Sequence, residues 1–234
     1  MTHHLHLELE IRFKAGWHTG SGEGGFTIDN LVRRNSRGKP FIPASTLKGV
    51  IRQSCERLNR TLGFPEPWQV HNPTLSGAYD YRPLCEMPSP VEQIFGTHYG
   101  CGELYFRDAV TAVDDRLKPF PRSHVARFRL LRTARDQHLY STEYSPATTL
   151  NTTIDGWHER LPSLSPTDPP YAYCLLIAGI LAVDRIGGRK STGAGWIEGG
   201  IGIRKALYKG AALDIGEAFE LLDAEFYRDS MEGV

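Results

Sequence analysis

Leu5, Leu7, Leu9, Ile11 and Phe13 alternate with His4, His6, Glu8, Glu10 and Arg12. A period of two with one polar face predicts a β-strand covered on one side only. The pattern then breaks at Trp17-His18-Thr19-Gly20-Ser21-Gly22-Glu23-Gly24-Gly25. So many glycines predict a flexible loop that a ligand can approach closely. Helical spacing follows at Leu47, Val50, Ile51, Cys55 and Leu58. Pro43 keeps Ile42 extended, and Ser45 has the side chain of a good N-cap. Lys48 and Arg52 lie four apart and share a face of that helix. Gly49 costs about 1 kcal/mol against alanine there, which predicts packing against its backbone.

Thr61 to Tyr99 is rich in proline, glycine and aromatics and reads as an irregular insertion. Strands are predicted at Glu103–Val110, at Val125–Leu131 and through Leu150, Thr152 and Ile154. The polar, basic stretch Thr133–Ser145 reads as a protruding hairpin. Pro162–Pro170 is a loop. The apolar run Tyr171–Asp184 is long enough for a helix, with Pro170 suited to its start, although periodicity alone does not separate helix from strand. A last strand at Trp196–Ile203 and an acidic amphipathic helix at Ala211–Arg228 complete the chain. The order predicts an α+β fold with a ferredoxin-like, RRM-like core carrying insertions.

With 234 residues, 40% of them hydrophobic, the chain suits one domain with insertions or at most two small ones. No run of about 18 apolar residues predicts a membrane span, and the first residues lack the layout of a signal peptide. Cys55, Cys85, Cys101 and Cys174 are irregularly spaced and read as reduced thiols of a cytoplasmic protein. Formal net charge is zero. Its distribution is not even: Arg33 to Arg52 holds six bases and Arg116 to Arg135 seven, with no acid in either stretch. Acids collect instead at Asp214, Glu217, Glu220, Asp223, Glu225, Asp229 and Glu232. Segregation of this kind builds a positive surface on a neutral molecule, suited to a polyanion, although ordinary patchiness gives clusters too.

One stretch concentrates candidate chemistry: Ile186-Gly187-Gly188-Arg189-Lys190-Ser191-Thr192-Gly193-Ala194-Gly195-Trp196. Its glycines permit left-handed backbone and close approach, its bases supply charge, and its hydroxyls supply donors. It is neither a P-loop nor a dinucleotide fingerprint, because a strand rather than a helix is predicted after it. It reads as a phosphate cradle or as a plain glycine-rich turn.

Phe41-Ile42-Pro43-Ala44-Ser45-Thr46-Leu47-Lys48-Gly49-Val50-Ile51-Arg52 resembles the Ile-Pro-Gly-Ser-Ser-Leu-Lys-Gly-x-x-Arg motif of the RAMP superfamily of CRISPR proteins. The glycine-rich stretch resembles that superfamily's G-loop. Ile94-Phe95-Gly96 with Gly102-Glu103-Leu104-Tyr105-Phe106-Arg107-Asp108-Ala109 resembles its middle motif. Within the superfamily the chain looks most like the small backbone subunit of type III effectors. That likeness implies a single domain: a palm over about 4–60 and 101–203, an insertion at about 61–100, a thumb at about 132–147, and an acidic C-terminal helix at about 211–228.

The resemblance further implies a guide CRISPR RNA held by His18, Ser45, Thr46, Lys48, Arg52, Arg127, Arg132 and Gly187, Gly188, Arg189, Lys190, Ser191, Thr192 and Gly193. It implies copies of itself and a large signalling subunit as partners. It implies cleavage of complementary target RNA at Asp29 with Mg²⁺ or Mn²⁺, the thumb kinking the paired strands. Ala44 and Thr46 depart from the usual glycine and serine, and Ser191-Thr192 stands where many relatives carry arginine. A non-catalytic subunit of the same complex and a standalone guide-processing endonuclease are the rival readings. Outside the family, a ferredoxin-like enzyme acting on a phosphorylated small molecule would suit the same loop.

Each residue also has a plainer reading. Asp29 can simply shape its loop as an Asx turn, and His18 can be a packed ring beside Trp17. Tyr140 and Tyr144 can stack on bases or pack on their own domain. His71, Cys85, His98 and Cys101 lack paired Cys-x-x-Cys spacing, which makes zinc a minor alternative.

Overall fold

The computed structural model describes residues 2–65, 89–97, 101–111, 118–128 and 130–232. Most of the 61–100 insertion, with His71, Cys85 and His98, therefore lies outside the described residues, as do Arg116 and Arg129.

The alternating first segment forms β1 (His3–Arg12) at the centre of an antiparallel sheet. It pairs with β6 (Thr149–His158) on one side and β7 (Gly202–Tyr208) on the other. β2 (Leu104–Phe106) and β3 (Val110–Thr111) add outside β6, and β8 (Ala211–Ala212) outside β7. β1, α1 (Ala44–Leu62), β2, β6, α3 (Tyr171–Leu181) and β7 follow one another along the chain. They give the βαββαβ order of a ferredoxin-like core. The α+β expectation holds.

Leu5, Leu7, Leu9 and Ile11 are fully buried against Leu47, Ile51 and Cys55 of α1 and Leu175 and Leu176 of α3. Short α2 (Pro90–Phe95) closes the same layer, opened by a Ser89–Glu92 capping box. On the other face of β1, His4, His6 and Glu8 stay partly exposed. Glu10 is the exception: its carboxylate is buried between Arg12 and Arg204. Cys55 and Cys174 are buried free thiols, and burial pushes the Cys174 thiol up to about 12.

Several element boundaries differ from expectation. Helix α1 begins at Ala44, with Pro43 in the N-cap position and no side-chain cap of its own. Ser45 lies in the first turn instead, because Asp108 Oδ1 accepts from the Ala44 N–H at 2.7 Å and satisfies that end. Gly49 is exposed, and no described atom lies within 4 Å of where its Cβ would be.

The protruding hairpin is longer than the sequence suggests. It pairs β4 (Phe120–Phe128) with β5 (Thr133–Tyr144), so Val125–Leu131 and Thr133–Ser145 are parts of one hairpin. Most positions on both of its faces are exposed, so it carries no inside–outside alternation to read.

The strand expected at Trp196–Ile203 begins only at Gly202. Trp196 and Ile197 make single bridges, and a turn intervenes. The acidic helix is two helices, α4 (Ile215–Glu220) and α5 (Ala224–Glu232). Asp214 and Asp223 each accept from a backbone N–H two residues on, and Asp223 thereby starts a new helix. No described helix is long and apolar enough to cross a membrane.

Candidate nucleic-acid interface

Leu181 ends α3, and the chain returns past β1 through the glycine-rich loop. Gly188 N–H donates to the His18 carbonyl at 2.8 Å, and Gly195 N–H donates to the Gly16 carbonyl at 3.0 Å. Both docking points need glycine. A Cβ on Gly187 (φ +99°) would sit 2.4 Å from His18 O, and one on Gly195 (φ +73°) 2.0 Å from Ile186 O. Between them Arg189 adopts a left-handed conformation and Lys190–Thr192 make one 3-10 turn.

This docking opens a groove of about 410 Å³ against the N-terminal end of α1. Of the expected RNA contacts it brings together His18, Ser45, Thr46, Gly187 and Gly188. Thr19, Gly20, Arg33, Pro43 and Val50 complete the lining. Each has a signal in the sequence: Arg33 in the first acid-free basic stretch, Thr19 and Gly20 in the glycine-rich loop after the first strand, and Pro43 and Val50 in the Phe41–Arg52 motif. Lys190 faces a neighbouring groove of about 610 Å³ with Arg57, Arg60 and Arg185, and Val50 belongs to both.

Lys48 and Arg52 line neither groove. The Lys48 ammonium lies 5.7 Å from the centre of the Phe106 ring, and Arg52 Nε donates to Glu56 Oε1 at 2.8 Å. Ser191, Thr192 and Gly193 are exposed at the loop tip. Arg127 and Arg132 are exposed at the far end of the hairpin, with Arg132 in its turn.

His18 is buried, and its Nδ1 lies 2.7 Å from the Glu143 carbonyl oxygen. Only the edge of the ring reaches the groove. From it a line of rings runs out along the hairpin base. His18 lies beside Tyr144, Tyr144 Oη is 3.1 Å from His124 Nε2, and His124 stacks on Tyr140. Arg189 closes the line, donating to Tyr140 Oη at 2.8 Å with its guanidinium over the same ring. Burial holds the His124 imidazole below its ordinary pKa, and the charges of Arg189 and Arg122 add to that. His124 had no signal in the sequence, because its partners are distant in the chain.

Asp29 is exposed on the loop between β1 and α1. Its Oδ2 accepts from the Ser141 N–H at 2.6 Å and from Ser141 Oγ at 3.0 Å. The Ser141 backbone N–H and then its hydroxyl hold the carboxyl below its ordinary pKa, so it is ionised at neutral pH. The backbone N–H of Asp29 itself acts in the same direction. The same loop is riveted to β5 two residues further on. Glu143, 5% exposed, accepts from the Val32 N–H at 3.0 Å and from Arg34 Nη2 at 2.6 Å. Replacing Glu143 with alanine strands a buried N–H and one end of a shielded ion pair. It should cost about 2–3 kcal/mol, and Glu143→Gln distinctly less. Urea unfolding checks this: the midpoint should fall with little change in slope.

A divalent cation would find one carboxylate here rather than a cage. Among the described residues no three His, Cys, Asp or Glu side chains converge, and Cys101 is an exposed free thiol. A hard cation such as Mg²⁺ suits that arrangement, since it binds through one or two carboxylates and takes its other ligands from water and phosphate.

The family model of the RAMP superfamily matches residues 10–198 of the chain. No curated protein matches it.

Proposed function

The chain belongs to the RAMP superfamily of CRISPR-associated RNA-binding proteins, and from that premise we propose that it is a guide-holding backbone subunit of a type III effector. The observation that carries the reading is Asp29. An ionised, exposed carboxylate stands on the loop that also walls the groove, against the base of a basic hairpin.

In this reading Ser45, Thr46, Gly187 and Gly188 face the guide phosphates, with the edge of His18 beside them. Lys48, Arg52 and Arg189, Lys190, Ser191, Thr192 and Gly193 extend the basic field on either side. Arg127 and Arg132 place the far end of the hairpin on the paired strands, and further copies and a large signalling subunit complete the complex. Phosphate contacts of this kind make guide binding independent of sequence and steeply dependent on salt.

Asp29 then acts on the target strand. Its carboxylate accepts the proton of a 2′-hydroxyl as that oxygen bonds to the adjacent phosphorus. The bond from phosphorus to the 5′-oxygen breaks, and the leaving oxygen takes up a proton from water. Asp29 is the residue that would hold Mg²⁺ or Mn²⁺, and a bound ion would supply charge neutralisation at the phosphate.

The test is purification of the assembled complex from its host. Guide RNA of discrete length should accompany it, and complementary RNA should be cut at regular intervals with Mg²⁺ or Mn²⁺ and not with EDTA. Protein free of RNA and unable to bind it would sink the reading. Cleavage of precursor RNA that survives EDTA would make it a guide-processing endonuclease. Both Ser141 bonds to Asp29 also suit a purely architectural aspartate. Guide and target bound without cleavage would assign the chain to the non-catalytic members.

A further inference from the structure

Phe26 is 106% exposed, as open to water as in an unfolded chain. It does not sit on a loose segment. Gly25 N–H donates to the Ile28 carbonyl at 2.7 Å, which closes a tip of only Phe26 and Thr27. Leu31 N–H donates to Glu23 O at 3.2 Å and Ser21 N–H to Leu31 O at 3.0 Å, so the stem below is paired as well. Ser141 Oγ, the hydroxyl that also holds Asp29, lies 3.3 Å from the Thr27 carbonyl. One serine of β5 therefore braces both the tip and the carboxylate. Three residues of chain keep the Phe26 and Asp29 Cα atoms within about 11 Å.

We propose that Phe26 is a base-stacking site, which takes one unpaired nucleobase of the target strand beside the phosphodiester presented to Asp29. This rests on the reading of the chain as a target-cutting subunit. A lone ring between glycine and threonine lacks the apolar collar that surrounds a protein hot spot. It matches instead a flat partner with two π-faces, which any of the four bases provides. A ring stacked there would hold the nucleotide out of its helix and fix its sugar against the carboxylate.

The experiment uses the guide-loaded complex and a series of target RNAs with one abasic nucleotide moved along the strand. With intact target, Phe26→Ala should lower affinity about tenfold for each copy that engages the strand, and Phe26→Trp should restore it. An abasic nucleotide at one position in each interval should weaken the wild-type complex about tenfold, the loss of one stack, and leave Phe26→Ala unaffected. Thermal melting should not change, because the ring packs on nothing. If the wild-type complex binds target but wild type and Phe26→Ala respond alike at every abasic position, the stack is refuted and the subunit assignment stands. A wild-type complex that binds no target refutes the assignment itself, and the stack with it.

Discussion

Asp29→Ala is expected to lower target cleavage by about 10²- to 10⁴-fold, the contribution of a positioned general base, while guide binding stays within about twofold. The carboxylate is exposed and its partners are Ser141 and its own backbone N–H, so its loss leaves no buried group unpaired. Asp29→Asn sharpens the experiment, since an amide oxygen can still accept from Ser141 while the charge is gone. If charge matters, Asn and Ala variants fail alike; if Asp29 only shapes the loop, Asn retains most of the activity. The pH profile carries its own sign. Ser141 lowers the Asp29 pKa, so the ionised form persists down through the ordinary carboxylate range, and its bonds to Ser141 are lost only on further acidification. Cleavage between pH 5 and pH 8 should therefore show no ionisation of Asp29. Single-turnover rates of the assembled complex across that range measure both effects, and unchanged cleavage by Asp29→Ala ends the catalytic assignment.

Gly187→Val should reduce guide affinity by about 100-fold or more. Two penalties coincide there. Left-handed backbone costs a branched residue at least about 1–2 kcal/mol, and the new Cβ would lie 2.4 Å from the His18 carbonyl oxygen. The loop can relieve that contact only by lifting away from His18, which breaks the Gly188 N–H bond and removes one wall of the groove. Gly193→Ala is the control. Its φ is also positive, +85°, but no described atom lies within 4 Å of the added carbon, so strain remains without collision. Anisotropy titrations at one fixed salt concentration should show a small loss for Gly193→Ala and a large one for Gly187→Val. Equal losses would show that the docked loop is not what forms the groove.

What the sequence shows and hides follows from the range of the interactions. β1 is legible because its own alternation encodes its burial, and α3 because an all-apolar run of its length has nowhere to lie but inside. The groove is half legible. Ser45, Thr46 and the glycines of the later loop announce themselves by type and spacing, whereas Thr19 and Gly20 show only as part of a loop open to a ligand, and the fold sets them beside Ser45. The start of α1 is not legible, because its cap is Asp108, 64 residues away. Asp29 is visible as a residue, but its tie to Ser141 spans 112 residues, and that tie sets its charge and its direction. The packing of the His18 ring depends in the same way on Glu143, 125 residues on.

The ring line from His18 to Arg189 has one more consequence, for how the sequence can change over time. Tyr140 is held both by the stacked His124 ring and by the Arg189 guanidinium. Losing either neighbour leaves the ring at the root of the hairpin with one support in place of two. Positions 124, 140 and 189 are therefore expected to drift as a set, and a descendant that changes one of them should carry a matching change at another.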